Sequence, residues 1–228
     1  KHYSSKLGIR SLLELALIQV IRPKVIVTFI DNSLRFNLLS RIYTEAKFIA
    51  VQNAFRTNEI LAIANNLCAT NLMCFGLDTR KRYKDANCKV GRYIISGSLK
   101  QGLYRRLAQD QVPKNYDLCW ISQYKPNRFE RNPVLRNMCL KLLSFLETYC
   151  KENDKNLIVA GACKEWSFSY EYRFLIENLN IDRLTFAPND DNNFSSYRAI
   201  DGSIVTVTTN STLGYECIMR GIKVIFYS

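Results

Sequence analysis

In Val205–Ser228, VTVTTNSTLGYECIMRGIKVIFYS, a strand, a turn, a helix and a second strand follow one another within 24 residues. The β-branched run Ile204–Thr208 predicts the first strand and Thr209-Asn210-Ser211-Thr212 a tight polar turn. Leu213–Arg220 then reads as a helix closed by Gly221, and Lys223–Tyr227 as the second strand. A strand feeding straight into a helix leaves the first helical N–H groups unpaired at the positive end of the helix dipole, all aimed at one point. Such a corner suits a phosphate, and Asn210, Ser211 and Thr212 would form it. Glu216 lies four positions after Thr212, on the same helix face one turn further in, where a carboxylate can accept from ribose hydroxyls. An ordinary capped helix carrying a solvated Glu would show the same pattern.

Upstream of this stretch the alternation continues. DLCWIS (117–122), NLIVAGA (156–162) and RLTFAP (183–188) read as strands, with helices over 133–151, 169–179 and 195–200 between them and the strand at 204–208. Five strands alternating with helices predict a parallel, doubly wound sheet, because each crossover must be right-handed and about a helix long. NDDNN (189–193) lacks the oxygen spacing and glycine of a calcium loop and reads as a turn, with Ser195 or Ser196 capping the helix after it. QDQVPKN, between Leu107 and Tyr116, is the one linker-like stretch, so domains are expected at 1–110 and 111–228.

The first half repeats the scheme. A helix over 3–22 stops at Pro23, and KVIVTFID (24–31) is continuously apolar, which predicts a parallel strand buried on both faces. Ser33 is a natural cap for a helix running to Glu45. Strands are expected at 47–52, 71–75 and 93–98, with a helix at 59–66 and a polar helix within DTRKRYKDANCK (78–89). The fold class is therefore α/β, two Rossmann-like parallel-sheet domains facing a cleft. The chain is expected to be incomplete at both ends: it opens on Lys1, and it stops on a strand that a further helix would normally cover.

An apolar content of 47% with 23% charged residues excludes a disordered chain, and no apolar run approaches a membrane span. Residues 1–110 hold 18 Lys and Arg against 7 Asp and Glu, whereas 111–228 hold 14 against 13, giving the net charge of +12. Arg80–Arg106 alone carries nine basic residues and one acidic, a field that attracts nucleic acid, anionic headgroups or an acidic glycan. Three aromatics in that segment, Tyr83, Tyr93 and Tyr104, with no RNP-like string, argue against nucleic acid. The eight cysteines form no CxxC pair and mostly sit in apolar runs, as expected for reduced core residues of a cytoplasmic protein. The single histidine, His2, speaks against a His-dependent nucleophile or a His-ligated metal, and neither a P-loop nor a dinucleotide fingerprint occurs. No cofactor and no metal are expected. Acid or base chemistry then falls to carboxylates, Tyr or Lys.

Ligands of open parallel sheets bind beyond the carboxyl ends of the strands. The residues expected there are Asp31 and Asn32, Gln52, Asn53 and Arg56, Ser96 to Ser98, Ser122, Gln123 and Lys125, Gly161 and Lys164, Asn189 to Asp191, and Thr209 to Thr212. Asp31 suits a general base, and equally a carboxylate at a helix N-terminus beside Ser33.

On these residues, PNDDNNFSSYRAIDGSIVTVTTNSTLGYECIMRGIKVIFYS (188–228) resembles the C-terminal half of bacterial surface-carbohydrate glycosyltransferases of the GT-B fold. That group surrounds the capsule and lipopolysaccharide Kdo transferases. The shared elements are SSYRAI (195–200), STLGYE (211–216) and the G-x-K-V-I-F strand (221–226). TFIDN (28–32), AVQNAFR (50–56) and the segment from CFGLDTRKRY to SGSLKQG (74–102) are similar to the same group, with Ala54 standing where a Gly is usual. The resemblance implies a metal-independent transferase whose second domain binds a CMP-, CDP- or UDP-linked sugar and whose first binds an anionic glycan or lipid-linked acceptor. Ser211 and Thr212 would then hold phosphate and Glu216 ribose, with Ser122, Lys164, Ser196, Tyr197 and Asn210 completing the donor pocket. Asn32, Gln52, Asn53 and Arg56 would face the acceptor, and Asp31 would act as base or, with retention of configuration, as nucleophile. The implied location is cytoplasmic, with peripheral contact to anionic inner-membrane headgroups and no nucleic-acid partner. The competing enzyme readings are a GT-B nucleotide-sugar epimerase and a polyol-phosphate transferase; outside enzymes, a polyanion-binding protein.

Overall fold

The computed structural model describes residues 8–56, 61, 68–108, 111–164, 168–180 and 183–227. The chain forms two compact units, Lys1–Gly102 and Leu103–Ser228.

In the first unit β1 (Val25–Thr28), β2 (Lys47–Val51), β3 (Cys68–Cys74) and β4 (Lys89–Ile95) make a parallel sheet in that spatial order. Helices α1 (Ile9–Ile21), α2 (Leu34–Ile42) and α3 (Leu77–Asp85) lie between or before the strands in the chain. The helix expected at 59–66 falls outside the described residues except for Leu61. Ser33 caps α2 as expected, its Oγ accepting from Phe36 N at 3.3 Å. The core joins Phe48, Ala50 and Leu72 of the central strands to Phe36 and Leu39 of α2 and Tyr83 of α3. β1 corrects the expectation of burial on both faces: Val25 and Val27 are 47% and 51% exposed. It is one of the two edge strands of this sheet among the described residues, and one set of its alternating side chains finds no cover there.

The second unit is a five-stranded parallel sheet of β5 (Tyr116–Ile121), β6 (Leu157–Lys164), β7 (Leu184–Asn189), β8 (Ser203–Thr208) and β9 (Val224–Phe226), in the order β7-β6-β5-β8-β9. Its strand order reverses between β5 and β8, the position where open α/β sheets bind ligands. The helices are α4 (Leu99–Leu107), which straddles the unit boundary, α5 (Pro126–Arg131), α6 (Pro133–Asn153), α7 (Phe168–Asn178), α8 (Ser195–Asp201) and α9 (Thr212–Met219). β5 shows how both faces are used. Leu118 and Trp120 pack with Leu142, Leu143 and Leu146 of α6, while Cys119 and Ile121 pack with Ala199, Ile200 and Cys217 of α8 and α9. Cys74, Cys88, Cys119, Cys139, Cys150, Cys163 and Cys217 are buried, the core position expected of them.

The two compact units divide inside α4, where Tyr104 is buried in the second unit, its ring 4.9 Å from that of Tyr197 and its hydroxyl 2.6 Å from Asp201. Two local expectations need correcting. Helix α5 was not anticipated; it is one short segment with Pro126 at its start and Phe129 turned into the core. Neither Ser195 nor Ser196 caps α8. Phe194 takes the cap position at φ 51°, while Ser195 Oγ donates to Pro188 O (2.7 Å) and accepts from Asp190 N (2.8 Å). The 189–193 turn is held by Asp190, which accepts from Asn192 N at 2.9 Å. Among the described residues no helix is long and apolar enough to cross a membrane.

Candidate functional site

The corner at the end of β8 is set by how closely α9 sits on the sheet. A Cβ at Gly214 would lie 2.7 Å from Thr208 Cγ2 and 3.1 Å from the Phe226 ring, so only glycine lets the helix approach this near. At the far end Gly221 adopts φ +71°, and Ile222 N donates to Cys217 O at 2.9 Å, a Schellman closure that ends α9 one turn before β9. The first turn of α9 is thereby held over the carboxyl end of β8. Ser211 caps it, accepting from Leu213 N at 3.3 Å.

The donors of this turn meet at one oxygen. With its amide oxygen turned toward them, the buried Gln123 side chain accepts from Ser211 N (2.8 Å), Asn210 N (3.0 Å) and Thr209 Oγ1 (3.0 Å). Gln123 follows β5, the strand beside β8, so the strand-order reversal brings it there. Deeper along α9, Glu216 is 5% exposed and accepts from the Tyr197 hydroxyl at 2.5 Å. The Tyr197 ring is itself held: Tyr104 stacks on it, and the Arg220 guanidinium, which is paired with Asp201, lies 5.7 Å from its centroid. Burial first, then the hydrogen bond to Asp201 and that carboxylate's charge, push the Tyr104 phenol up to about 12.

The other donor-side candidates are placed differently. Ser196 is half-buried in the first turn of α8, next to Tyr197. Ser122 is buried, and its hydroxyl accepts from Tyr124 N at 3.1 Å, which ties down the loop after β5. Lys164 is exposed at the end of β6 and pairs with Asp191 at 3.1 Å.

In the first unit the candidates converge on Asp31. This carboxylate is fully buried, and Arg56 grips both its oxygens, Nε donating to Oδ2 at 3.1 Å and Nη2 to Oδ1. The Tyr83 hydroxyl donates to Oδ2 at 2.5 Å. Burial works against the Arg56 charge, but the hydrogen bond to Asp31 and that carboxylate's charge outweigh it, and the guanidinium pKa rises. Tyr83 is raised as well, by burial and then by the charge of Asp31. Arg56 Nη2 also donates to Asn53 Oδ1 (2.6 Å) and Asn32 Oδ1 (3.3 Å), so both amides serve the guanidinium. Gln52 is buried with both ends of its amide on the backbone: Nε2 donates to Ala54 O (3.0 Å) and Oε1 accepts from Phe75 N (2.9 Å). It ties the loop after β2 to the end of β3. In the basic segment, Lys81 pairs with Asp85 (2.8 Å) and Arg82 with Asp78 (2.6 Å), so part of that charge is met within α3.

Sequence reasoning placed Gln123 among the polar residues beyond its strand without giving it a partner, and named Tyr83 only as an aromatic of the basic segment. Thr79 and Tyr83, four apart on an otherwise polar helix, mark its buried face, a signal that finds the burial of Tyr83 but not its partner. Gln123 carried one signal, its place directly after a core strand.

Two solved structures match the chain. One is UDP-GlcNAc 2-epimerase from Neisseria meningitidis bound to UDP-GlcNAc, with a TM-score of 0.61 and 9% identity over 95% of this chain and 62% of that one. The other is UDP-GlcNAc 2-epimerase from Methanocaldococcus jannaschii, with a TM-score of 0.47 and 10% identity over 96% of this chain and 71% of that one. This chain therefore spans 62% of the length of the Neisseria enzyme, and the likeness to it is one of α/β fold. No curated protein sequence matches the chain. A family profile does match, over residues 49–228, from within β2 through β9. By that match the chain belongs to the family described as "putative O-antigen biosynthesis protein".

Proposed function

We propose that this chain is part of a glycosyltransferase that moves a sugar from a nucleotide-sugar to a surface polysaccharide or lipid-linked acceptor, with the nucleotide bound by the second unit. The observation that carries this reading is the convergence of Ser211 N, Asn210 N and Thr209 Oγ1 on one carbonyl oxygen beside the buried Glu216–Tyr197 pair. A phosphate oxygen taking the place of the Gln123 carbonyl would meet the same donors and the dipole of α9, which stabilise a departing phosphate electrostatically. Tyr197 occupies one oxygen of Glu216, and the other has no hydrogen-bond partner among the described residues, so it can accept from a ribose hydroxyl. Membership of an O-antigen biosynthesis family supports a carbohydrate substrate, and the UDP-GlcNAc bound to the Neisseria enzyme makes that nucleotide-sugar the first donor to test.

Asp31 is the base of this proposal on one condition. Arg56 holds both of its oxygens, so they are open to an acceptor hydroxyl only when an anionic acceptor draws the guanidinium away. Asp31→Asn should then lower kcat by about 100-fold or more with nucleotide affinity nearly unchanged. Loss of turnover without loss of the acid limb of the pH profile would mean that Asp31 only positions Arg56. The basic excess of residues 1–110 would draw the enzyme to anionic headgroups, which salt-sensitive binding to anionic vesicles tests.

The primary test is calorimetric titration with CMP, CDP, UDP and GDP, followed by UDP-GlcNAc. Binding of one nucleotide, weakened in Glu216→Ala, is the expected result; no binding of any would end this reading. Epimerisation is the second reading, favoured by the fold shared with the Neisseria enzyme. Appearance of the C2 epimer of UDP-GlcNAc by NMR, with no acceptor present, would favour it over transfer.

A further inference from the structure

A cavity of about 830 Å³ opens at the carboxyl ends of β5, β6 and β7, a volume in the range of small-molecule sites. Lys125, Arg128 and Arg131 line it from the segment after β5, and Lys164 from the end of β6. Lys164 is paired with Asp191, but Lys125, Arg128 and Arg131 have no carboxylate partner, and no carboxylate lines the cavity, among the described residues. The backbone here already serves an anion of the protein's own. Ala162 N (3.0 Å) and Cys163 N (2.7 Å) donate to the fully buried Glu171 carboxylate. Those amides are spent, so a ligand's charge must be met by side chains.

The remaining lining fits a sugar. Tyr170 is 60% exposed and offers a ring face, and Asn127 and Asn189 offer amides that can both donate to and accept from hydroxyls. A neutral sugar presents hydroxyl donors that carboxylates accept, and the described lining of this cavity has none to offer. Arg128, Arg131 and Lys125 instead match a group that carries its own negative charge, with the planar guanidinium suited to a carboxylate or phosphate.

We propose that this cavity binds an anionic saccharide, a hexose bearing a carboxylate or a phosphate, with Arg128 and Arg131 on the charged group and Tyr170 against the ring. The proposal deepens the function given above and rests on it for the ligand's origin in the donor or the acceptor. β5 separates β6 from β8, so the cavity lies two strand spacings, about 10 Å, from the corner at Ser211. A nucleotide-sugar can span that distance.

The test uses the whole chain and no nucleotide. Glucose 1-phosphate, glucuronate and glucose are titrated by NMR into the wild type, Arg128→Ser/Arg131→Ser and Glu216→Ala. At least one charged sugar should bind and glucose should not, and the arginine double variant should lose affinity by about tenfold or more. Glu216→Ala should bind the charged sugars as the wild type does. The preference between glucose 1-phosphate and glucuronate tells phosphate from carboxylate. Equal binding of glucose, unchanged affinity in the double variant, or no binding of either charged sugar would overturn the proposal. So would inorganic phosphate binding as tightly as glucose 1-phosphate, since the cavity would then read charge alone. Nucleotide binding is scored apart, by UDP and the Glu216 variant, so either idea can fail without the other.

Discussion

Two buried carboxylates in this protein each accept a 2.5 Å hydrogen bond from a tyrosine, Asp31 from Tyr83 in the first unit and Glu216 from Tyr197 in the second. What separates them is the third partner. Arg56 lies across both oxygens of Asp31, so that charge is matched inside the protein. Glu216 has no cation paired with it among the described residues; the nearby Arg220 is paired with Asp201. A buried carboxylate sealed by an arginine is held in place until a ligand competes for the guanidinium. One that is held by a phenol on a single oxygen keeps its other oxygen ready to accept. The same acid–phenol contact thus anchors an arginine in one unit and orients an acceptor in the other.

The largest effect should come from breaking the sealed pair. Arg56→Met leaves Asp31 charged and buried without compensation, which should destabilise the first unit by about 3–5 kcal/mol in urea unfolding. Adding Asp31→Leu should recover most of that loss; if Arg56→Met alone changes nothing, the two carboxylates do not differ in the way described. The open pair is tested by binding. Glu216→Ala should weaken nucleotide affinity by about 1–3 kcal/mol, and unchanged calorimetric affinity would make Glu216 a group that only holds Tyr197.

A smaller effect sharpens the contrast. Tyr83→Phe should cost only about 1 kcal/mol, because Asp31 keeps both contacts from Arg56, while Tyr197→Phe should cost more and also raise the nucleotide Kd. Equal costs in unfolding experiments would mean that Arg56 does not share the load. The smallest effect is at high pH. Because the Tyr104 phenol is raised to about 12, its neutral form is favoured in the folded protein. That stabilisation is whole below the unfolded value near 10 and is lost as pH rises from about 10 through about 12. Urea midpoints measured across that window should fall for the wild type and fall less for Tyr104→Phe.

Local chemistry was enough to read much of the second unit from the sequence alone. Strand, turn, helix and glycine closure over 204–221 depend on near neighbours: β-branched residues, the Ser211 cap and the positive φ of Gly221. The period of the alternation likewise determined parallel sheets, and the buried cysteines followed from their apolar surroundings. The position of Glu216 one turn inside α9 followed from helical spacing.

What the tertiary structure decided is every pairing that crosses the chain. Tyr83 reaches Asp31 across 52 residues, and Gln123 reaches the Asn210–Ser211 turn only because β5 and β8 are neighbours at the strand-order reversal. The apolar run of β1 could not announce that it lies at the edge, since hydrophobicity along a strand is the same whether or not a neighbour covers it. Nor could the polar segment after α4 reveal that the unit boundary precedes it, because that depended on where the Tyr104 ring found its partners. Helical and strand periods are properties of one segment, whereas a salt bridge, a hydrogen bond between side chains or an edge belongs to two, and their meeting is set by the order in which the strands assemble.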